Sequence, residues 1–128
     1  MSYYFAKTLN MTFDDAVRHA TDVLKQEGFG IITEIDVKET FKQKLGIDFR
    51  NYRILGACNP KLAHEALEVE DKVGTMLPCN VVVQDIGGGK IEVAAIDPVA
   101  SMQAIDNAKL REAAATVAAK LRKVVAAL

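Results

Sequence analysis

The chain has 128 residues, of which 50% are hydrophobic and 26% are charged, a composition typical of one soluble globular domain. Its 16 basic and 17 acidic side chains leave a net charge of −1. That balance argues against a nucleic-acid partner, whose phosphates demand a net or clustered basic surface. The first residues lack a signal-peptide pattern and no apolar run is long enough for a membrane span, so we expect a single cytoplasmic domain over residues 1–128 with no membrane partner.

The first third of the sequence predicts two strands separated by a helix. Aromatic, alternating residues predict a strand from Tyr3 to Leu9. Thr12 is typical of a helix N-cap, apolar residues recur after it at helical spacing, and Gly28 ends the helix. A short β-branched run then predicts a second strand from Phe29 to Ile35.

A short helix is predicted from Asp36 to Gly46, because Asp36 and Glu39 form a capping pair and the glycine supplies a stop. This helix and the loop after it concentrate basic side chains, among them Lys42, Lys44, Arg50 and Arg53. The cluster predicts either an anion-binding edge or a solvated face balanced by acidic neighbours. The solvated face is the more common use of such a run of charges.

The middle of the chain predicts a third strand that leads directly into a helix. The strand runs from Tyr52 to Ala57 and is followed by Cys58. Asn59 and Pro60 then start a helix of about ten residues, because asparagine caps free N–H groups and proline suits the first helical position. A connector over residues 71–78 brings the chain to its next strand.

The last part of the chain predicts a hairpin and a long helix. Strands from Cys79 to Ile86 and from Ile91 to Ile96 flank a triple-glycine turn. Residues 100–107 form a connection with a helical turn, and Ala108 to Ala127 is the longest helix. Its apolar residues repeat at four-three spacing, which predicts either a seam with a second chain or, more commonly, a cover for the chain's own sheet.

Both cysteines, Cys58 and Cys79, are followed by asparagine, and each has a proline within two residues. Because Cys58 ends the third predicted strand and Cys79 begins the fourth, antiparallel strands would place them at one sheet edge and parallel strands at opposite ends. The intervening helix advances about 15 Å, and the connector reaches back roughly 26 Å. Proximity is therefore permitted but not required.

If the two thiols meet, they predict several kinds of chemistry. The partial positive charge at the helix N-terminus would lower a thiol pKa below its usual value of ~8.5. Such thiols serve as a redox pair, pass on sulfur, or hold a soft metal, although no further ligand falls at the spacing of a closed zinc site. The alternative is that both are buried core residues, which is common for free cysteine.

The Cys-Asn motifs resemble those of a known family, the domain of unknown function 302. The matching segments are Ala57-Cys58-Asn59-Pro60 and Leu77-Pro78-Cys79-Asn80-Val81, with Gly28-Phe29-Gly30, Asp36-Val37, Lys44-Leu45-Gly46 and Tyr52-Arg53-Ile54-Leu55-Gly56 upstream and Asp97-Pro98 downstream. The resemblance implies an α+β two-layer sandwich similar to the TATA-binding-protein repeat. It also implies a mixed, antiparallel-rich sheet of about five strands with helices on one face, and association as a homodimer. Likeness to a DNA-binding fold transfers no function.

Three functional hypotheses follow from these observations. The first is a thiol-based redox, sulfur or soft-metal/ligand site, for which the candidate residues are Cys58, Asn59, Cys79, Asn80 and Asp97. The second is a non-enzymatic small-ligand-binding or sensor dimer, in which a groove beside the sheet holds a small anionic or apolar molecule and Lys42, Lys44, Arg50 and Arg53 form an anion rim. The third is an interaction module assembled through the terminal helix. No catalytic constellation or cofactor fingerprint is visible, so the sequence specifies neither a reaction nor a cofactor.

Overall fold

The computed structural model describes residues 2–128 and contains one five-stranded sheet with helices packed against it. The strands are β1 (Tyr4–Leu9), β2 (Gly30–Asp36), β3 (Tyr52–Cys58), β4 (Cys79–Gly87) and β5 (Lys90–Ile96). The helices are α1 (Phe13–Gln26), α2 (Val37–Leu45), α3 (Pro60–Val69), α4 (Pro98–Ser101) and α5 (Ala108–Ala127). A 3-10 helix, Asp71–Met76, joins α3 to β4.

The strand order across the sheet is β1-β5-β4-β3-β2, and each neighbouring pair is antiparallel. Helices α1 and α5 pack against the central and β1-side strands and against each other, forming the second layer. The predicted α+β two-layer sandwich is therefore confirmed. Its sheet is antiparallel throughout the described strands, which is simpler than the mixed sheet expected.

The main core lies between the inner face of the sheet and the two long helices. Every second residue of a strand points into this core, because side chains alternate between the two faces of a sheet. The inward-pointing residues include Leu55, Ala57, Val81, Val83, Ile91, Val93 and Ala95, all nearly inaccessible to solvent. Because the residues between them point to the opposite face, the sheet has one buried side and one partly exposed side.

The apolar stripe of α5 is used inside the chain. Its buried members are Leu110, Ala114, Ala118, Leu121, Val124 and Val125. The prediction that this stripe covers the chain's own sheet is confirmed. The buried stripe residues are therefore occupied by contacts within the chain rather than exposed for a seam with a second chain.

Side-chain caps start the helices where the sequence predicts them. The Asp15 N–H donates to Thr12 Oγ1 at 3.1 Å, the Glu39 N–H donates to Asp36 Oδ1 at 3.0 Å, and the Leu62 N–H donates to Asn59 Oδ1 at 3.3 Å. Each bond satisfies one of the N–H groups that a helix leaves free in its first turn.

Two connections are more ordered than predicted. The connector over residues 71–78 contains the 3-10 helix, which buries Val73 completely. The turn placed within residues 100–107 is instead α4, which begins at Pro98 because Asp97 accepts a hydrogen bond from the Val99 N–H. This start repeats the polar-cap-then-proline pattern of α3.

These two segments close a second, smaller core at one end of the molecule. Its buried members are Ala66, Val73, Met102, Leu110 and Ala114. They come from α3, the 3-10 helix, the residue after α4, and the start of α5. The second core is therefore a layer of helices beside the sheet edge where β3 ends and β4 begins.

Within the described residues, no helix combines the length and the apolar character that crossing a membrane requires.

Candidate ligand-binding cavity

A partly open cavity of about 300 Å³ lies where the two cores meet. Its lining comes from the ends of β3 and β4, from α3, from the α4 segment and from α5. The residues that line it are Phe29, Ile32, Ala57, Cys58, Asn59, Leu62, Ala63, Ala66, Leu67, Leu77, Pro78, Cys79, Pro98, Met102, Leu110, Ala113, Ala114 and Val117. Ile32 and Leu67 are 62% and 43% exposed, so apolar side chains also form part of its entrance.

Both cysteines lie in the wall of this cavity. Strands β3 and β4 are antiparallel, and Ala57 is directly opposite Cys79, so the end of one strand and the start of the other share a sheet edge. The two thiols are free and form no disulfide. No group of three or more His, Cys, Asp or Glu that could hold a metal occurs within residues 2–128. A bonded or metal-bridged cysteine pair is therefore not supported.

The environments of the two thiols differ. Cys79 is 8% exposed whereas Cys58 is only partly buried. Burial raises the pKa of the Cys79 thiol to about 11, and a nearby charge on Cys58 adds to the rise. Cys79 is thus an uncharged thiol at neutral pH, which is opposite to the lowered pKa expected of a reactive cysteine.

We expect the two thiols to react at different rates with Ellman's reagent. In the native protein near neutral pH one thiol, Cys58, reacts, and Cys79 reacts only after unfolding or as the pH approaches about 11. Because its folded pKa lies above the ordinary 9.0, Cys79 favours folding below that pH, and this contribution is lost as the pH rises toward 11.

Cys58→Ser is expected to remove the fast phase, and Cys79→Ser to leave it intact. Two thiols that react at equal rates in the native protein would contradict the assignment.

Asn59 connects the cavity wall to the start of α3. Its Oδ1 accepts the Leu62 N–H, while its Nδ2 lies 3.0 Å from the position that a Cβ at Gly28 would occupy. Gly28 has a φ of 86°, a left-handed conformation that side chains with a Cβ rarely adopt. The glycine in the turn after α1 thus leaves room for the Asn59 side chain, which caps α3 beside Cys58.

A second glycine allows close packing of neighbouring side chains at the end of β3. Gly56, in β3, has the side chain of Thr33 from β2 on one side and Pro78, a cavity residue, on the other. A Cβ at Gly56 would overlap Thr33 Oγ1 and would lie 2.7 Å from Pro78 Cγ. The absence of a side chain therefore sets how closely Pro78 approaches the sheet.

Two predicted site residues lie outside the cavity. Asn80 is exposed on the other face of the sheet, because the residue after Cys79 in a strand points the opposite way. Asp97 caps α4 through the Val99 N–H, and its own N–H donates to the Tyr3 carbonyl. Of the five candidate site residues, the cavity brings together Cys58, Asn59 and Cys79.

None of the four predicted rim cations lines the cavity. Arg53 forms ion pairs with Glu34 at 3.1 Å and with Asp36 at 3.4 Å. Arg50 donates to the Gln84 side-chain oxygen at 3.0 Å. Lys42 and Lys44 lie in the exposed last turn of α2. The arginines are already engaged with protein groups, and the set is dispersed.

Sequence reasoning missed the helical half of the cavity wall. This half of the wall includes Pro98, Met102, Leu110 and Ala113. In the sequence, each of these residues is typical of an ordinary core or loop position. The available signal was the Asp97-Pro98 helix start, because a helix there turns the following segment back toward α5.

The comparisons with known proteins agree with this fold. The family model described as domain of unknown function DUF302 matches residues 5–128. A crystal structure of an uncharacterised conserved protein, DUF302, from Bacillus stearothermophilus is similar with a TM-score of 0.90 and 27% sequence identity, over 98% of this chain and 98% of that chain. A comparison with curated proteins finds no match.

Proposed function

This chain belongs to the DUF302 family, and we propose that it is a binding domain for a small, neutral, apolar molecule held in the cavity beside Cys58 and Cys79. The observation that carries the proposal is the lining itself. Asn59 and the two thiols are its polar side chains, and the remaining lining residues are apolar. Pockets of this size with few polar groups are the usual form of small-molecule sites.

The lining also indicates which ligands are disfavoured. No Asp, Glu, Lys, Arg or His side chain lines the cavity. A charged ligand would lose its hydration there without gaining a partner, which is costly. The proposed ligand class is therefore uncharged, which favours the apolar alternative over the anionic ligand that the cluster of lysines and arginines would bind.

Ligand binding explains the two thiols better than thiol redox exchange does. A redox pair needs at least one readily ionised thiol and an accessible partner. Cys79 is buried with a raised pKa, so it suits a cavity wall more than an exchanging thiol. Free thiols accord with the cytoplasmic location that we also propose.

Filling the cavity is expected to weaken ligand binding. Ala113 lies in the cavity wall on α5, and Ala113→Leu places several carbon atoms in the space that the ligand would occupy. We expect the fluorescence of the neutral dye N-phenyl-naphthylamine to saturate with the native protein. The dissociation constant should rise about tenfold or more in the variant, equivalent to the burial of one or two methylene groups.

Ala115→Leu is the matched control, because Ala115 is exposed on the same helix two residues away. It should bind the dye as the native protein does. Absence of dye binding to the native protein, or equal loss in both variants, would reject the cavity as a binding site.

We further propose that the chain forms a homodimer through the outer face of its sheet. One row of paired residues on this face is apolar across all five strands, consisting of Ile35, Ile54, Val82, Ala94 and Ala6. Their side chains are exposed or partly exposed. At the usual strand spacing the row is about 19 Å wide, and contiguous apolar rows with polar borders are typical of interfaces.

The polar groups beside this row favour a second copy as the occupant. Arg50 donates to Gln84 at 3.0 Å, and Gln84 donates to Glu92 at 3.1 Å. This hydrogen-bonded chain carries one positive and one negative charge, so two identical faces meet without net repulsion. A two-fold axis requires that kind of self-complementary surface.

Val82→Glu is expected to convert a dimer into a monomer. Val82 is in the middle of the apolar row, and an ionised carboxylate there would be buried twice in a two-fold interface, which is strongly unfavourable. Sedimentation or light scattering gives the solution mass. Thr116→Glu, on the exposed side of α5, should leave the mass unchanged, and a monomeric native protein would reject the dimer.

A further inference from the structure

The cavity wall contains one accessible sulfur and one buried sulfur. Cys58 is partly exposed, and Cys79 is 8% exposed. Both face a space lined by apolar groups. An accessible thiol in the wall of an apolar cavity is placed to react with a molecule that the cavity holds.

Cys58 also has a specific place in the backbone. It is the last residue of β3 and directly precedes Asn59, the N-cap of the ten-residue helix α3. Pro60 brings no N–H and Asn59 caps the Leu62 N–H, so the helix end is well defined around the thiol.

We propose that Cys58 is a covalent attachment site for small apolar electrophiles of the α,β-unsaturated carbonyl class, which the cavity collects from solution. This inference rests on the proposed binding function and specifies its ligand class. The cavity binds the apolar part of such a molecule, and the accessible Cys58 sulfur reacts with its electrophilic carbon. The class fits because sulfur is a soft nucleophile and a conjugated β-carbon is a soft electrophile without a charge that burial would penalise.

The reaction is a conjugate addition that balances without another reactant. The Cys58 sulfur forms a bond to the β-carbon, and the electrons of the carbon–carbon double bond move toward the carbonyl to give an enolate. The proton lost by the Cys58 thiol returns, directly or through water, to the α-carbon. No group leaves, and nothing is oxidised or reduced outside the two partners.

The test is the dependence of the rate on the length of the apolar chain. The native protein is incubated with linear vinyl ketones from butenone to octenone, and adducts are followed by intact mass and located by peptide mapping. We expect a single adduct at Cys58, with a second-order rate constant that rises about threefold to fourfold per methylene until the cavity is filled, as burial of each methylene requires. Free glutathione is the reference and should show no such trend.

Variants separate the contributions of the thiols and the cavity. Cys58→Ser should abolish the adduct, and peptide mapping should find Cys79 unmodified both in this variant and in the native protein. Ala113→Leu should flatten the trend, whereas Ala115→Leu should not. Circular dichroism checks that each variant is folded, and the series on the native protein does not depend on any variant.

The outcomes distinguish this inference from the binding proposal. A rate that is independent of chain length, or addition chiefly at Cys79, overturns covalent capture at Cys58. If N-phenyl-naphthylamine still binds in that case, the proposed binding function stands. If the dye does not bind and the rates are also flat, both proposals are rejected.

Discussion

Gly56→Ala is expected to lower the free energy of unfolding by about 3 kcal/mol, at the upper end of what overpacking a well-filled site usually costs. The new methyl group would overlap Thr33 Oγ1 from β2 and lie 2.7 Å from Pro78 Cγ. Thr33 is held in a paired strand and its Cβ would lie 3.3 Å from the new methyl group, so rotating Oγ1 away relieves only part of the overlap, and the rigid ring of Pro78 moves only with its backbone. Urea unfolding monitored by circular dichroism measures the change.

Gly30→Ala is the matched control for this substitution. Gly30 lies in the neighbouring strand β2, opposite Cys58, and a Cβ there would have no other atom within 4 Å. We expect its stability to change by less than about 1 kcal/mol, and in the favourable direction. Adding Thr33→Ala to Gly56→Ala should recover part of the loss, because the overlap with Oγ1 disappears. Equal stabilities for the two single glycine variants would refute the close-packing argument.

Leu121→Ala is expected to destabilise the protein by about 3 to 4 kcal/mol. Leu121 is completely buried in the main core, so the substitution removes buried methyl groups and leaves a cavity between α5 and the sheet. The magnitude tests whether α5 is an integral part of the fold. An assembly helix that docks only on a second chain would lose oligomerisation rather than monomer stability.

The control for Leu121→Ala is the same chemical change at an exposed helical position. Leu45, at the end of α2, is 64% exposed. Leu45→Ala should cost less than about 1 kcal/mol, as is usual for surface substitutions. If the loss at Leu121 depended on protein concentration, the helix would be contributing to an interface and our assignment would be wrong.

The order of strands and helices could be predicted because its signals are local. Thr12, Asp36 and Asn59 each precede a helical apolar repeat, and each proves to be a cap. The shared neighbourhood of Cys58 and Cys79 required one further piece of information, the direction of β4 relative to β3. Spacing permits either direction, and only the antiparallel pairing gives the common sheet edge.

The cavity and its electrostatics could not be predicted in this way. Its far wall combines Met102 with Leu110, whose meeting depends on tertiary packing rather than on a repeat. The rise in the pKa of Cys79 depends on tertiary burial. Cys79 begins a strand rather than a helix, and desolvation of its buried thiol raises the pKa.

The basic cluster shows a similar limit. The sequence alone presents Arg53 as one of several free cations. In the structure, the sheet register places Arg53 directly opposite Asp36, and Arg53 forms an ion pair with Glu34. Cross-strand partners of this kind are separated by many residues along the chain. Charge clustering in a sequence therefore says little about which charges remain available to a ligand.

The division of the interior into two cores has a consequence for how the cavity exchanges its contents. One wall belongs to the sheet and the main core, while the other belongs to the smaller cluster that includes Ala66, Val73 and Met102. Regions with fewer buried apolar contacts open locally at lower free energy than the rest of the fold. Amide hydrogens of α3 should therefore exchange with solvent faster than those of β4, and an occupant of the cavity should slow the exchange of α3 selectively.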